Sequence, residues 1–129
     1  MNQSLESVVK TYFAAFCNFD GDAWVGLFAE DGSLGGPAHT PAVVGRPALR
    51  GMFDAITGLF ISIDFRPETI LSEGNCAVAH FSLGAEAKNG RTVSARGFLA
   101  FAIGADGLLS QVGGFWNPGP VLAAATQTD

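Results

Sequence analysis

The sequence predicts an α+β fold, in which three N-terminal helices pack on one side of a strongly curved antiparallel or mixed β-sheet and close it into a cone. Three observations predict it. As far as about residue 58, apolar residues recur at the three- and four-residue spacing of amphipathic helices. Beyond residue 60 the pattern changes to the period of two that marks strands. Glycines at 84, 97, 104, 113 and 114 then fall within or beside those strands, as a sharply bent sheet requires.

In the first helix Leu5, Val8, Val9, Tyr12, Phe13 and Phe16 form one apolar stripe, with Asn2 or Ser4 available as cap. Asp20, after the turn Asn18-Phe19-Asp20-Gly21-Asp22, caps a second helix that carries Trp24, Leu27 and Phe28 inward. Asp31-Gly32 stops that helix, and Gly35, Gly36, Pro37 and Pro41 make an irregular bend long enough to wall a cavity. Pro47 suits the first turn of a third helix built on Leu49, Met52, Phe53 and Ile56. Strands are expected over 60–65, 75–88, 91–103 and 108–116, with Asn89-Gly90 as a hairpin turn. Residues 1–120 thus make a single domain, and 121–129 read as a loose, flexible tail.

The 48% apolar composition is enough for a real core, and the net charge of −5 argues against nucleic acid or an anionic membrane as partner. The N-terminus lacks a signal-peptide pattern, and no apolar run is long enough to span a bilayer, so a cytoplasmic protein is expected. Cys17 and Cys76 make no disulfide framework and read as ordinary buried thiols. Spacings for a metal site, a dinucleotide loop or a phosphate loop are lacking, so the expectation is no cofactor and no metal.

The segments Val8-Val9-Lys10-Thr11-Tyr12-Phe13, Asp20-Gly21-Asp22, Leu27-Phe28-Ala29-Glu30-Asp31-Gly32, Gly45-Arg46-Pro47, Lys88-Asn89-Gly90-Arg91 and Phe115-Trp116 resemble the nuclear-transport-factor-2-like superfamily. The nearest branch is that of ketosteroid isomerases and SnoaL-like polyketide cyclases. The resemblance implies the cystatin-like, ketosteroid-isomerase-like cone and a hydrophobic pocket, but it does not imply one activity, because the cone hosts isomerases, dehydratases, epoxide hydrolases, cyclases and binders. It also implies that Tyr12 is the oxyanion donor and that Trp116 is an aromatic lining the pocket. The family's general-base carboxylate falls at Gly36 and its second oxyanion acid at Leu99, so the usual steroid isomerisation is not expected. The tyrosines that often support the oxyanion residue appear as Phe28 and Phe53.

Counting back from the Asn89-Gly90 hairpin puts His80, Ser82, Gly84 and Glu86 on the concave side, and an ungapped register adds Ser62 and Asp64. Asp64 then matches an acid of SnoaL-like epoxide hydrolases and polyether cyclases. The expected catalytic set is Tyr12, Asp64 and His80, able to polarise an oxygen and move a proton. Phe28, Met52, Phe53, Ser62, Leu99 and Trp116 are expected to contact the substrate. Each also has a plainer reading: Tyr12 as a core aromatic, Asp64 as a solvent-facing carboxylate, His80 as a half-buried strand residue. His39 either gates the pocket from the bend or is a surface histidine.

The leading function is a cofactor-independent isomerase, cyclase, dehydratase or epoxide hydrolase acting on a small hydrophobic, polycyclic or polyketide-like molecule. The alternatives are a non-catalytic binder of such a molecule and an assembly module with a filled pocket. A homodimer is expected through the convex sheet face, with Phe81, Phe98 and Ala100 among its residues.

Overall fold

The structure is a computed structural model and describes residues 4–127. Its elements are α1 (Leu5–Cys17), α2 (Gly21–Val25), β1 (Phe28–Gly35), β2 (Val43–Val44), α3 (Arg46–Thr57), β3 (Phe60–Glu73), β4 (Cys76–Ala87), β5 (Thr92–Ile103), β6 (Leu109–Phe115) and α4 (Gly119–Thr126). One six-stranded sheet runs in the order β2-β1-β6-β5-β4-β3. All neighbours are antiparallel except β1 and β6, so the sheet is mixed. Helices α1 to α3 cover its concave face, the α+β architecture expected from the sequence.

Local chemistry explains the helices. The Ser4 hydroxyl accepts from the Ser7 N–H (3.1 Å) and starts α1, whose apolar stripe from Leu5 to Phe16 is buried. The other candidate cap, Asn2, lies outside the described residues. The Asp20 carboxylate accepts from the Ala23 N–H (3.1 Å) and starts α2. Pro47 stands in the first turn of α3. Between the helices and the sheet Tyr12, Phe13, Phe16, Trp24, Phe28, Phe53, Phe65, Phe81 and Phe101 form a continuous aromatic cluster. Each such ring pair adds about 0.5–1.5 kcal/mol beyond area burial.

Two segments depart from expectation. Helix α2 stops at Val25, and Phe28 opens a strand rather than ending a helix. Sheet pairing decides this: Leu109 N–H donates to the Leu27 carbonyl (2.7 Å), and Leu34 lies beside Val112 on the parallel neighbour. Two residues of the expected tail, 128 and 129, lie outside the described residues; the stretch 121–126 is helical. It belongs to α4, because the alanine-rich stretch favours a helix and Val121 and Ala125 bury against Phe60 and Ala87. Neither cysteine is fully buried: Cys17 accepts from the Phe65 N–H (3.3 Å) at half-burial, and Cys76 is exposed.

Register is corrected as well. A two-residue Asn89-Gly90 turn would set Lys88 opposite Arg91 and, counting back, His80 opposite Leu99. The loop is one residue longer: Gly90 N–H donates to the Ala87 carbonyl (3.0 Å), Ala87 N–H donates to Arg91 (2.8 Å), and Gly90 sits at φ +88°. This is the three-residue hairpin with a left-handed glycine bulge. Ala79 therefore pairs with Leu99 and His80 with Phe98. A one-residue shift exchanges the two faces of a strand, so Phe81, Leu83 and Ala85 face inward and His80, Ser82, Gly84 and Glu86 face outward. In β3 Ser62 and Asp64 pair with Glu86 and Gly84 and share their outward face, while Ile63 and Phe65 pair with Ala85 and Leu83 and face inward; a register irregularity between Phe60 and Ser62 brings Phe60 inward as well. No helix among the described residues is long and apolar enough to cross a membrane.

Candidate functional site: an apolar cavity with a phenol and an imidazole

Where the aromatic cluster ends, shorter side chains leave a cavity of about 280 Å³ between the sheet, α3, the bend and α4. Ile63, Phe65, Leu83, Ala85 and Leu99 come from the sheet, Met52 and Ile56 from α3, and Val121 and Leu122 from α4. Trp116, at the end of β6, closes one side and meets Phe81 edge-to-face at 5.5 Å. The volume lies near the lower end for small-molecule pockets, about 300–1,000 Å³.

Two titratable side chains line it, Tyr12 from α1 and His39 from the bend. Tyr12 projects from the buried stripe of α1 among Phe13, Phe16, Trp24, Phe28 and Phe101. Burial pushes its phenol above the ordinary value, so it remains a proton donor across the working pH range. The Trp24 indole N–H opposes this slightly, lying close enough to favour the phenolate while falling short of hydrogen-bond geometry. That N–H is fully buried without an acceptor, an arrangement that costs about 1–3 kcal/mol.

His39 is fixed by its backbone. The Ala38 N–H donates to Gly114 (3.1 Å), the His39 N–H to Gly36 (3.1 Å), and the Thr40 hydroxyl also to Gly36 (3.1 Å). Its half-buried imidazole makes no hydrogen bond to a described residue. Desolvation lowers its pKa from the ordinary value of 6.5, so it is neutral at pH 7 and can accept a proton. Gly36 beside it has no room for a side chain: φ is +79°, and a Cβ would lie 2.6 Å from the Gly114 carbonyl oxygen.

The structure brings together only part of the expected site. Tyr12, Met52, Leu99 and Trp116 line the cavity. Phe28 and Phe53 are wholly buried beside Trp24 and do not reach it. Ser62 is exposed on the outer face, as is Asp64, which forms an ion pair with Arg66 (2.6 Å). His80 is also outside, its ring 5.0 Å from that of Phe98. Asp64 and His80 are thus separated from Tyr12 by the sheet. His39 was in view from the sequence only as a possible gate; its position in the cavity-walling bend was the usable signal. Among the described residues there is no group of three or more His, Cys, Asp or Glu side chains able to hold a metal ion.

Solved structures share this fold. A hypothetical protein from Catenulispora acidiphila with a ketosteroid-isomerase-like fold, in complex with trimethylamine, has a TM-score of 0.81 at 16% identity, covering 98% of this chain and 100% of that one. The Δ5-3-ketosteroid isomerase of a Mycobacterium species has a TM-score of 0.78 at 19% identity, covering 88% and 92%. SalBIII, an epoxide hydrolase/cyclase-like enzyme with a role in pyran ring formation in the polyether salinomycin, has a TM-score of 0.77 at 20% identity, covering 87% and 89%. At these identities the likeness is one of fold. No curated protein matches the chain in sequence. The SnoaL-like domain, by contrast, matches residues 9–112. The chain belongs to the SnoaL-like domain family.

Proposed function

We propose that this protein binds a small, uncharged, largely apolar molecule carrying one oxygen function, and moves a proton on it without a cofactor. The observation that carries the reading is the lining of the cavity, in which a protonated phenol and a neutral imidazole are the titratable groups. Tyr12 donates to the ligand oxygen, where a hydrogen bond in a dry site stabilises developing negative charge strongly. His39 takes up or returns the proton, replacing in function the carboxylate that Gly36 cannot bear. Enolisation with isomerisation, dehydration, cyclisation and epoxide opening can each use a proton donor and a proton acceptor of this kind. The solved relatives named for ketosteroid isomerisation and for pyran ring formation favour a polycyclic or polyketide-like substrate.

A second reading, non-catalytic binding, is favoured by Gly36 and by Leu99, which leave two polar positions of isomerase relatives without a polar side chain. A cavity that side chains leave unfilled speaks against the assembly-module reading, which expects a filled one. A second copy of the chain is the proposed partner of the outer sheet face, where Phe98 and Phe115 are half-exposed on paired strands. Light scattering should then give a dimer mass for the wild type and a monomer mass for Phe98→Arg. A monomeric wild type would remove the dimer from the account.

The test begins with thermal stabilisation by steroids, aromatic polyketides and polyether-like epoxides. A ligand at a hundred times its Kd adds about 2.7 kcal/mol of stability. With the best ligand, Tyr12→Phe and His39→Gln should each lower kcat by about 10²- to 10³-fold while Kd changes little. Binding by the wild type without any turnover would leave the binder reading, and unchanged kcat in both variants would remove the assigned roles.

A further inference from the structure

Helix α4 is a wall of the cavity whose side chains stand outside the main core. Its buried side chains, Val121 and Ala125, join Phe60 and Ala87 in a small separate cluster, while Pro118, Val121 and Leu122 face the cavity. Eight residues are too few for a helix to persist alone, so α4 depends on what holds it down. At its start the Asn117 side-chain oxygen accepts from the Gly119 N–H (3.0 Å). At its end the Asn89 side-chain amide, from the tip of the β4–β5 hairpin, donates to the carbonyls of Ala124 (2.7 Å) and Gln127 (3.0 Å). The Asn89 oxygen meanwhile accepts from the Arg91 N–H (3.0 Å). One exposed side chain therefore both shapes the turn and clasps the end of α4, satisfying carbonyls that a helix terminus leaves open.

We propose that α4 is the access element of the cavity and that Asn89 is the positioning residue that holds it closed. Release of the two Asn89 bonds lets α4 swing about Asn117 and Pro118, withdrawing Val121 and Leu122 and admitting a ligand. An element with few buried apolar contacts opens locally far more often than the molecule unfolds. The access role rests on the cavity being a ligand site, but the clasp itself is tested without ligand.

The variant Asn89→Asp keeps the oxygen that shapes the turn and replaces the donor with a carboxylate oxygen facing two carbonyls; Asn89→Ala removes both functions. Amide hydrogen exchange on the full chain should be faster by about tenfold or more over residues 121–127 in both variants, the loss expected for two hydrogen bonds. Amides of α1 and β5 should exchange as in the wild type. The rate of Nile red uptake, followed by stopped-flow fluorescence, should rise in the variants by a similar factor. Unchanged exchange over 121–127 in both variants would overturn the clasp. Faster exchange with unchanged uptake would overturn α4 as the way in, and absence of Nile red binding to any of the three proteins would count against the cavity as a ligand site, and so against a door to it.

Discussion

The two faces of the β4–β5 hairpin differ in every property that matters for function. Facing inward, Ala79, Phe81, Leu99 and Phe101 are buried, while Leu83 and Ala85 line the cavity. Facing outward stand His80, Ser82, Glu86 and Arg96, with Val78 and Phe98 43% and 50% exposed. The sheet thus gives the cavity its walls and none of its proton-handling groups. Those come from elsewhere, Tyr12 from a helix and His39 from the bend. A titratable residue in a strand here belongs to the outside, and an apolar sheet face can serve a polar reaction only through what is packed over it.

The contrast can be broken most severely from within. Phe81→Ala should cost about 3–5 kcal/mol in urea unfolding, because it removes a wholly buried ring. Phe98→Ala, one pair along the same hairpin but on the outer face, should change the stability of the monomer by no more than about 0.5 kcal/mol. Equal losses would mean that the faces are wrongly assigned. Next in size is Gly36→Asp, which returns a carboxylate to the bend but forces a side chain against Gly114 at φ +79°. Strain of about 1–3 kcal/mol should appear as lost stability, with no gain in turnover. Trp24→Phe is smaller: loss of part of a buried ring is set against removal of an unsatisfied donor, for a net change within about 1 kcal/mol.

The smallest effect is one of pH. Burial lowers the His39 pKa in the folded chain, so below pH 6.5 the unfolded state takes up a proton that the folded state refuses. Stability should therefore fall as pH drops through the window just below 6.5, and the loss should level off once the folded imidazole is also charged. His39→Gln should remove that part of the slope and leave the carboxylate-driven loss at lower pH. An unchanged slope would place His39 in water.

Much of this was legible from residue spacing. The stripe from Leu5 to Phe16, the breaks around Asp20 and Pro47, and the alternation through β4, β5 and β6 are strong local signals, and the elements lie where these signals put them. What failed was decided by contacts distant in sequence. Phe28 has helical spacing from Trp24, yet pairing with β6 makes it a strand residue. The pair Asn89-Gly90 suits a two-residue turn and a three-residue bulged loop alike, and choosing the first reverses the whole of β4. That single residue moved His80 to the wrong side, and Ser62 and Asp64, which pair with Glu86 and Gly84 of the same strand, went with it. Helix α4 was hidden because its order comes from Phe60, Ala87 and Asn89 rather than from a cap of its own.

Because the chain has two histidines, one on each side of the sheet, a single titration addresses the central claim directly. The imidazole signals of His39 and His80 would be followed by NMR against pH, with and without the ligand that stabilises the protein most. His39 should titrate below 6.5 and shift on ligand binding, while the His80 signals should be unmoved by the ligand. A ligand that moves His80 and leaves His39 untouched would contradict that claim.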